Sequence, residues 1–279
     1  RLEITIHEGK NRQVRKMCEA IGHKVIALHR SKIGGIGVKD IELGKWRYLQ
    51  ENEIQKASEA LTNELRKIID SHVDKQAEIL VVGLGNVYVT PDSLGPKVIN
   101  ETDVTRHLIK YLPQYVEEGT RMVSAISPGV LGTTGIETVE ILKGIVDNIK
   151  PKLIIVIDAL ASRSIERISS TVQISDTGIV PGAGVGNTRS EISKTTLGIP
   201  VIAIGIPTVV ETAVLVNDCL DLFIQKLQND AKSKDNYEEI KEALVPKDYN
   251  LIVTPKEIDD LIENMKDIVA RGINFALQD

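Results

Sequence analysis

Four apolar runs constrain this chain more than any other feature: "EILVVGL" at 78–84, "MVSAIS" at 122–127, "LIIVIDAL" at 153–160 and "VIAIGI" at 201–206. A strand with one wet face alternates polar and apolar residues, whereas near-continuous Val/Ile/Leu runs fit strands covered on both faces. The stretches between them have helical spacing. Ile136, Val139, Leu142, Ile145, Val146 and Ile149 form one apolar stripe, stopped by Pro151, and two further helices are expected near 209–227 and 255–276. Strands alternating with helices predict an α/β fold, a doubly wound, mostly parallel sheet. The charged stretch 229–248 reads as an exposed insertion. Only 3% of residues are aromatic, so Val, Ile, Leu and Ala must fill the core.

Charge divides the chain. Residues 1–56 carry 12 Lys+Arg against 7 Asp+Glu, a net of +5, and the remainder carries a net of −10. The expected organisation is a basic α+β fragment at 1–56, a helical junction at 57–77 and an α/β domain at 78–279. Within the first piece, "LEITIHEG", "VIALHRSKIGG" and "WRYLQ" read as strands. "NRQVRKMCEAIG" reads as a helix from Asn11 to Gly22, with Val14, Met17, Cys18 and Ile21 as its apolar stripe and Arg12, Arg15 and Lys16 on another face. The chain opens on Arg1 rather than Met and reads as a fragment. No apolar run approaches the ~18 residues of a membrane span, and no signal-peptide pattern opens it. Two isolated cysteines, Cys18 and Cys219, fit a reduced cytoplasmic protein.

Few chemistries survive inspection of the motifs. The run Gly83-Leu84-Gly85 lacks the third glycine of a dinucleotide loop, since position 88 is Tyr88, and Pro91 interrupts the turn into a helix. "GAGVGN" at 182–187 fails at Asn187 and has no phosphate-binding lysine after it. The five histidines are His7, His23, His29, His72 and His107, so no Ser–His arrangement or metal cluster suggests itself in the α/β part, and no cofactor is expected. Two aspartates remain. Asp92 follows the first apolar strand by a short loop, and Asp158 closes the third. Placed side by side at carboxyl ends of strands, they would share a proton and serve as base and acid on a water molecule. A structural reading stays open beside this one: Asp92 capping a helix that starts near Ser93, and Asp158 paired with Arg163.

"VVGLGN…VTPDSLGPKV", "SAISPGVLGTTGIETVEILKGIV", "LIIVIDALASRSIERISSTVQISDTGIVPGAGVGN" and "TLGIPVIAIGIPTVV" together resemble the germination proteases of spore-forming bacteria, over about 58–279. The resemblance implies an atypical aspartic-type endopeptidase, made as a zymogen, working as a homotetramer in the spore core and degrading small acid-soluble spore proteins. It implies a fold shared with the hydrogenase maturation proteases, and essential aspartates at Asp92 in "TPDSLGP" and Asp158 in "IDALASRS". Residues 1–54, with "EGKNRQVRKMCEAIGHKVIALHRSKIGGI" and "LGKWRYL", resemble the C-terminal end of a ribosomal RNA pseudouridine synthase whose catalytic aspartate would lie upstream. That likeness implies weak RNA contact through Arg12, Arg15 and Lys16, and a chain that joins two truncated pieces. The alternatives to a working protease are therefore an RNA-binding or pseudouridine synthase fragment and a catalytically inactive fusion.

Overall fold

The computed structural model describes residues 2–6, 13–29, 31–33, 36–37, 41–42, 47–183, 189–212, 214–216, 219 and 251–278. It divides into two compact units, 1–48 and 49–279.

The first unit contains helix α1 (Gln13–Ala20) and two short antiparallel strands, β1 (Lys32–Ile33) and β2 (Ile36–Gly37), with Ile33 opposite Ile36. Gly22 takes a positive φ of 79° just past α1, the backbone geometry that ends helices at glycine. The other expectations for this unit need correction. Residues 2–6 form no strand despite the alternation of Leu2, Ile4 and Ile6, and neither do residues 47–50. Alternation marks a face but supplies no partner strand for the backbone, and among the described residues neither segment belongs to a strand pair. The apolar stripe of α1 is not a core face either: none of its residues is buried, and Met17 and Ile21 are exposed. Arg15 is half-buried, Lys16 is exposed, and Arg12 lies outside the described residues, as do Asn11 and His7.

The second unit opens with α2 (Glu51–His72), which starts well before residue 57. The Gln50 amide donates to Glu53 Oε2 at 2.9 Å, closing a capping box that fixes this start. Its buried residues Leu61, Leu65 and Ile69 join the core of the α/β unit, so α2 is a layer of that unit rather than a junction. The sheet is built from β3 (Ile79–Gly83), β4 (Val123–Ile126), β5 (Leu153–Ser162), β6 (Gln173–Ser175), β7 (Val201–Glu211) and β8 (Ile252–Val253), in the order β4-β3-β5-β7-β6 with β8 also on β7. The pairs β3–β4, β3–β5 and β5–β7 are parallel. The short strands β6 and β8 pair antiparallel with β7.

Both faces of the sheet are covered, as the apolar runs require. Ile79, Val81, Leu153, Ile155, Ile157, Ile202 and Ile204 point to one side. There they meet α2, α3 (Leu94–Asn100) and the C-terminal helix, here α8 (Ile258–Gln278), after the short α4 (Arg106–Tyr111), α5 (Leu131–Thr134), α6 (Thr138–Ile149) and α7 (Lys194–Leu197). Leu80, Val82, Ile154 and Val156 point to the other side, against Val139 and Leu142 of α6 and Leu197 of α7. Two details differ from expectation. Ile136 precedes α6 and is exposed. Residues 209–211 belong to strand β7 rather than to a helix. The remainder of that expected helix falls largely outside the described residues, and the charged stretch 229–248 does so entirely.

The connections fix where a site can form. From β3 the chain passes outward to β4, and from β4 it returns across β3 to β5. The crevice at the carboxyl ends of β3 and β5 is therefore the point where connections diverge, the usual ligand position in open α/β sheets.

Candidate active site

Asp92 sits at the end of a 3-10 turn, Thr90–Asp92, in the loop that leaves β3. Two glycines shape this loop for close approach. A Cβ on Gly83 would lie 2.2 Å from the Gly95 carbonyl oxygen, so the absence of a side chain lets the start of α3 press against the end of β3. Gly85 has φ +114°, and a Cβ there would lie 2.0 Å from the Asp92 carbonyl oxygen and 3.1 Å from Asp92 Oδ1. The Gly-x-Gly run is a packing device that tucks Asp92 against the strand end. It is no cradle for a dinucleotide. The Asn86 backbone N–H donates to Asp92 Oδ2 at 2.8 Å and orients the carboxylate.

Asp158 comes from β5, which does not end there as expected but continues to Ser162. Its neighbour β3 stops at Gly83, opposite Ile157, so Asp158 is the first β5 residue beyond the shared ladder. On the other side it lies in register with Gly205 of β7. Gly205 carries no side chain to crowd this point, and Leu160 occupies the space a Cβ would need. The Asp158 side chain is 6% exposed.

The structural alternative for the two aspartates is not what the chain adopts. Asp92 caps no helix, since α3 begins after Ser93 without a side-chain cap. Among the described residues, neither Asp92 nor Asp158 has an ion-pair partner. Two carboxyl groups so placed resist ionisation. Burial raises the Asp92 pKa above the ordinary carboxylate value, partly offset by the Asn86 amide. Burial also raises Asp158, the negative charge of Asp92 raises it further, and the Ala159 amide pulls the other way. The result is a value of about 8. Asp158 therefore keeps a proton near neutrality while Asp92 ionises first, a division of labour suited to an acid and a base.

Other reagents are distant in topology. His72 ends α2 and His107 lies on α4, elements that lead into the amino ends of β3 and β4, opposite the crevice. Among the described residues no group of three or more His, Cys, Asp or Glu side chains could hold a metal ion. Sequence reasoning read Gly83 and Gly85 as loop-forming but did not foresee that Gly83 and Gly95 let α3 press against β3, that Gly85 lets the loop close on Asp92, or that Gly205 lies opposite Asp158. The available signal was the pair Gly83 and Gly85 at the end of the first apolar strand; Gly205 gave none, because its register against Asp158 is a tertiary fact.

The family model for germination protease matches residues 38–239 and 232–279. The chain belongs to the germination protease family. Among curated germination proteases, that of Clostridium acetobutylicum is 49% identical over 252 residues, 85% of this chain and 77% of the relative. That of Caldanaerobacter subterraneus subsp. tengcongensis is 48% identical, covering 80% and 72%. That of Bacillus mycoides is 43% identical, covering 93% and 80%. The family match starts at residue 38, upstream of residue 58 where the sequence likeness was expected to begin, and so takes in part of the segment expected to be a separate fragment. A [NiFe] hydrogenase maturation protease HycI from Thermococcus kodakarensis KOD1 aligns at 17% identity and a TM-score of 0.31, covering 50% of this chain and 80% of that one. An overlap that loose carries no weight beside the sheet itself.

Proposed function

We propose that this germination-protease family member is an endopeptidase that hydrolyses small acid-soluble spore proteins with Asp92 and Asp158 as its acid–base pair. The observation that carries this reading is the buried Asp158 carboxyl, on β5 just past its ladder with β3, raised by burial and by the charge of Asp92 in the loop that leaves β3. The ionised Asp92 takes a proton from a water molecule as its oxygen attacks the scissile carbonyl carbon. Asp158 then delivers its proton to the leaving amine nitrogen as the C–N bond breaks. The cycle closes when the proton on Asp92 passes back to Asp158. The substrate class comes from the resemblance of the blocks around both aspartates to this family.

The pH dependence of kcat/KM tests the roles. An acid limb should appear as Asp92 is protonated, and an alkaline limb as Asp158 loses its proton near pH 8. The apparent values belong to the pair rather than to either residue. Cleavage of a purified small acid-soluble spore protein is the assay, with and without EDTA. A rate that keeps rising well above pH 8, or that EDTA abolishes, would contradict an acid–base pair of carboxyl groups.

A further inference from the structure

Among the described residues, no strand pairs with β5 on its β3 side beyond Ile157. The Leu84 amide donates to the Ile157 carbonyl at 2.8 Å, and this is the last bond from the β3 side. Beyond it the chain swings away into the loop that carries Asp92, with Val87 and Tyr88 exposed. Strand β5 nevertheless runs on for five residues, held from its other side by β7: Asp158 opposite Gly205, Leu160 opposite Pro207 and Ser162 opposite Val210. Backbone groups alternate along a strand, and the two anchor bonds set the phase. Ile157 faces β3, while the Ile154 amide donates to Pro200 on the β7 side. Ala159 and Ala161 therefore turn their amide and carbonyl groups toward the β3 side. Among the described residues no other strand pairs with them there; the Ala159 amide is drawn to the carboxylate of its neighbour Asp158, which leaves the Ala159 carbonyl and both backbone groups of Ala161 for a partner. Both residues are half-buried rather than sealed, and both side chains are small.

An unpaired strand edge is a template for another backbone. We propose that the edge of β5 at Ala159 and Ala161 binds the substrate in extended form, as an added strand continuing the line of β3, and so lays the scissile bond beside Asp92 and Asp158. The inference rests on the protease reading for its occupant. It explains a feature which that reading leaves aside, namely why β5 outruns its neighbour at this point. Recognition through main-chain hydrogen bonds demands an extended, locally unfolded substrate segment and little of its side chains.

The test is a backbone scan. Labelled overlapping peptides from a small acid-soluble spore protein are titrated with the full chain and followed by fluorescence anisotropy. Each amide of the tightest binder is then N-methylated in turn. An added strand predicts losses of about tenfold at every second position and little change between them. Equal tolerance at all positions, or no saturable binding by any peptide, would overturn the proposal. Ala161→Pro removes only an amide that faces the β3 side, a position where strands tolerate proline. It should weaken binding about tenfold with an unchanged melting midpoint. If that variant fails to fold, the N-methyl scan decides. Cleavage by Asp92→Asn and Asp158→Asn separates the two ideas. Alternation with active Asn variants keeps the edge and removes the carboxylate pair, whereas a flat scan with inactive variants does the reverse.

Discussion

Asp158→Asn is expected to make the protein more stable at neutral and alkaline pH while removing its activity. The unfolded chain releases the Asp158 proton near its ordinary value of 3.8, and the folded chain holds it to about 8. Between those two values the native state binds more protons than the unfolded state, so stability falls as pH rises, by about 1.4 kcal/mol per unit. Below pH 4 the carboxyl group is protonated in both states and contributes no slope, and above pH 8 the penalty is complete. Asn does not titrate and escapes the penalty, so its advantage should be absent near pH 4 and reach a few kcal/mol by pH 8. Asp92, raised in the same direction, leaves a smaller slope of the same sign in the variant. Urea denaturation at pH 5 and pH 8 measures the difference. Parallel shifts of wild type and variant between the two pH values would show that Asp158 is not held protonated by its surroundings.

Gly85→Ala should carry the largest effect among residues with no chemistry of their own. Its φ of +114° lies where L side chains are rare, and the Cβ would meet the Asp92 carbonyl oxygen at 2.0 Å. Backbone cannot yield there as the end of a flexible side chain could, so the loop must move and carry Asp92 with it. A displacement of about 1 Å at a reacting group costs on the order of a hundredfold in rate, and the strain costs about 1–3 kcal/mol of stability. Gly144→Ala, in the middle of α6 with open space around its Cβ, is the matched control. It should keep full activity and gain up to about 1 kcal/mol from helix propensity. The check is kcat together with the thermal midpoint for both variants. Equal activities would mean that Gly85 does not position Asp92.

The two variants also show what was legible in the sequence. Strands β3, β5 and β7 announce themselves because a strand buried on both faces must be apolar throughout, and Asp158 stands out against that background. The continuation of β5 to Ser162 was hidden by the same residue, since an aspartate after an apolar run looks like an ending. What keeps the strand going is pairing with β7 alone, a tertiary fact. The three-residue edge strand β6 is too short to show a period. In the first unit the opposite error arises: Leu2, Ile4 and Ile6 alternate well, yet a strand exists only where another backbone accepts its hydrogen bonds. The glycines were visible but ambiguous. Spacing already spoke against a dinucleotide loop at Gly83 and Gly85, but what they do instead shows only when Gly95 and Asp92 are seen on their far sides.

The acid–base pair itself is tested most directly by kinetics on the full chain. The initial rate of cleavage of a purified small acid-soluble spore protein should be measured for wild type, Asp92→Asn and Asp158→Asn, with circular dichroism confirming that each is folded. Asn preserves the shape of the side chain and an accepting oxygen but can neither take nor give the catalytic proton. Each variant should lose a factor of about 10²–10⁴ in kcat/KM. Cleavage by either folded variant within tenfold of the wild-type rate would contradict the assignment of hydrolysis to Asp92 and Asp158.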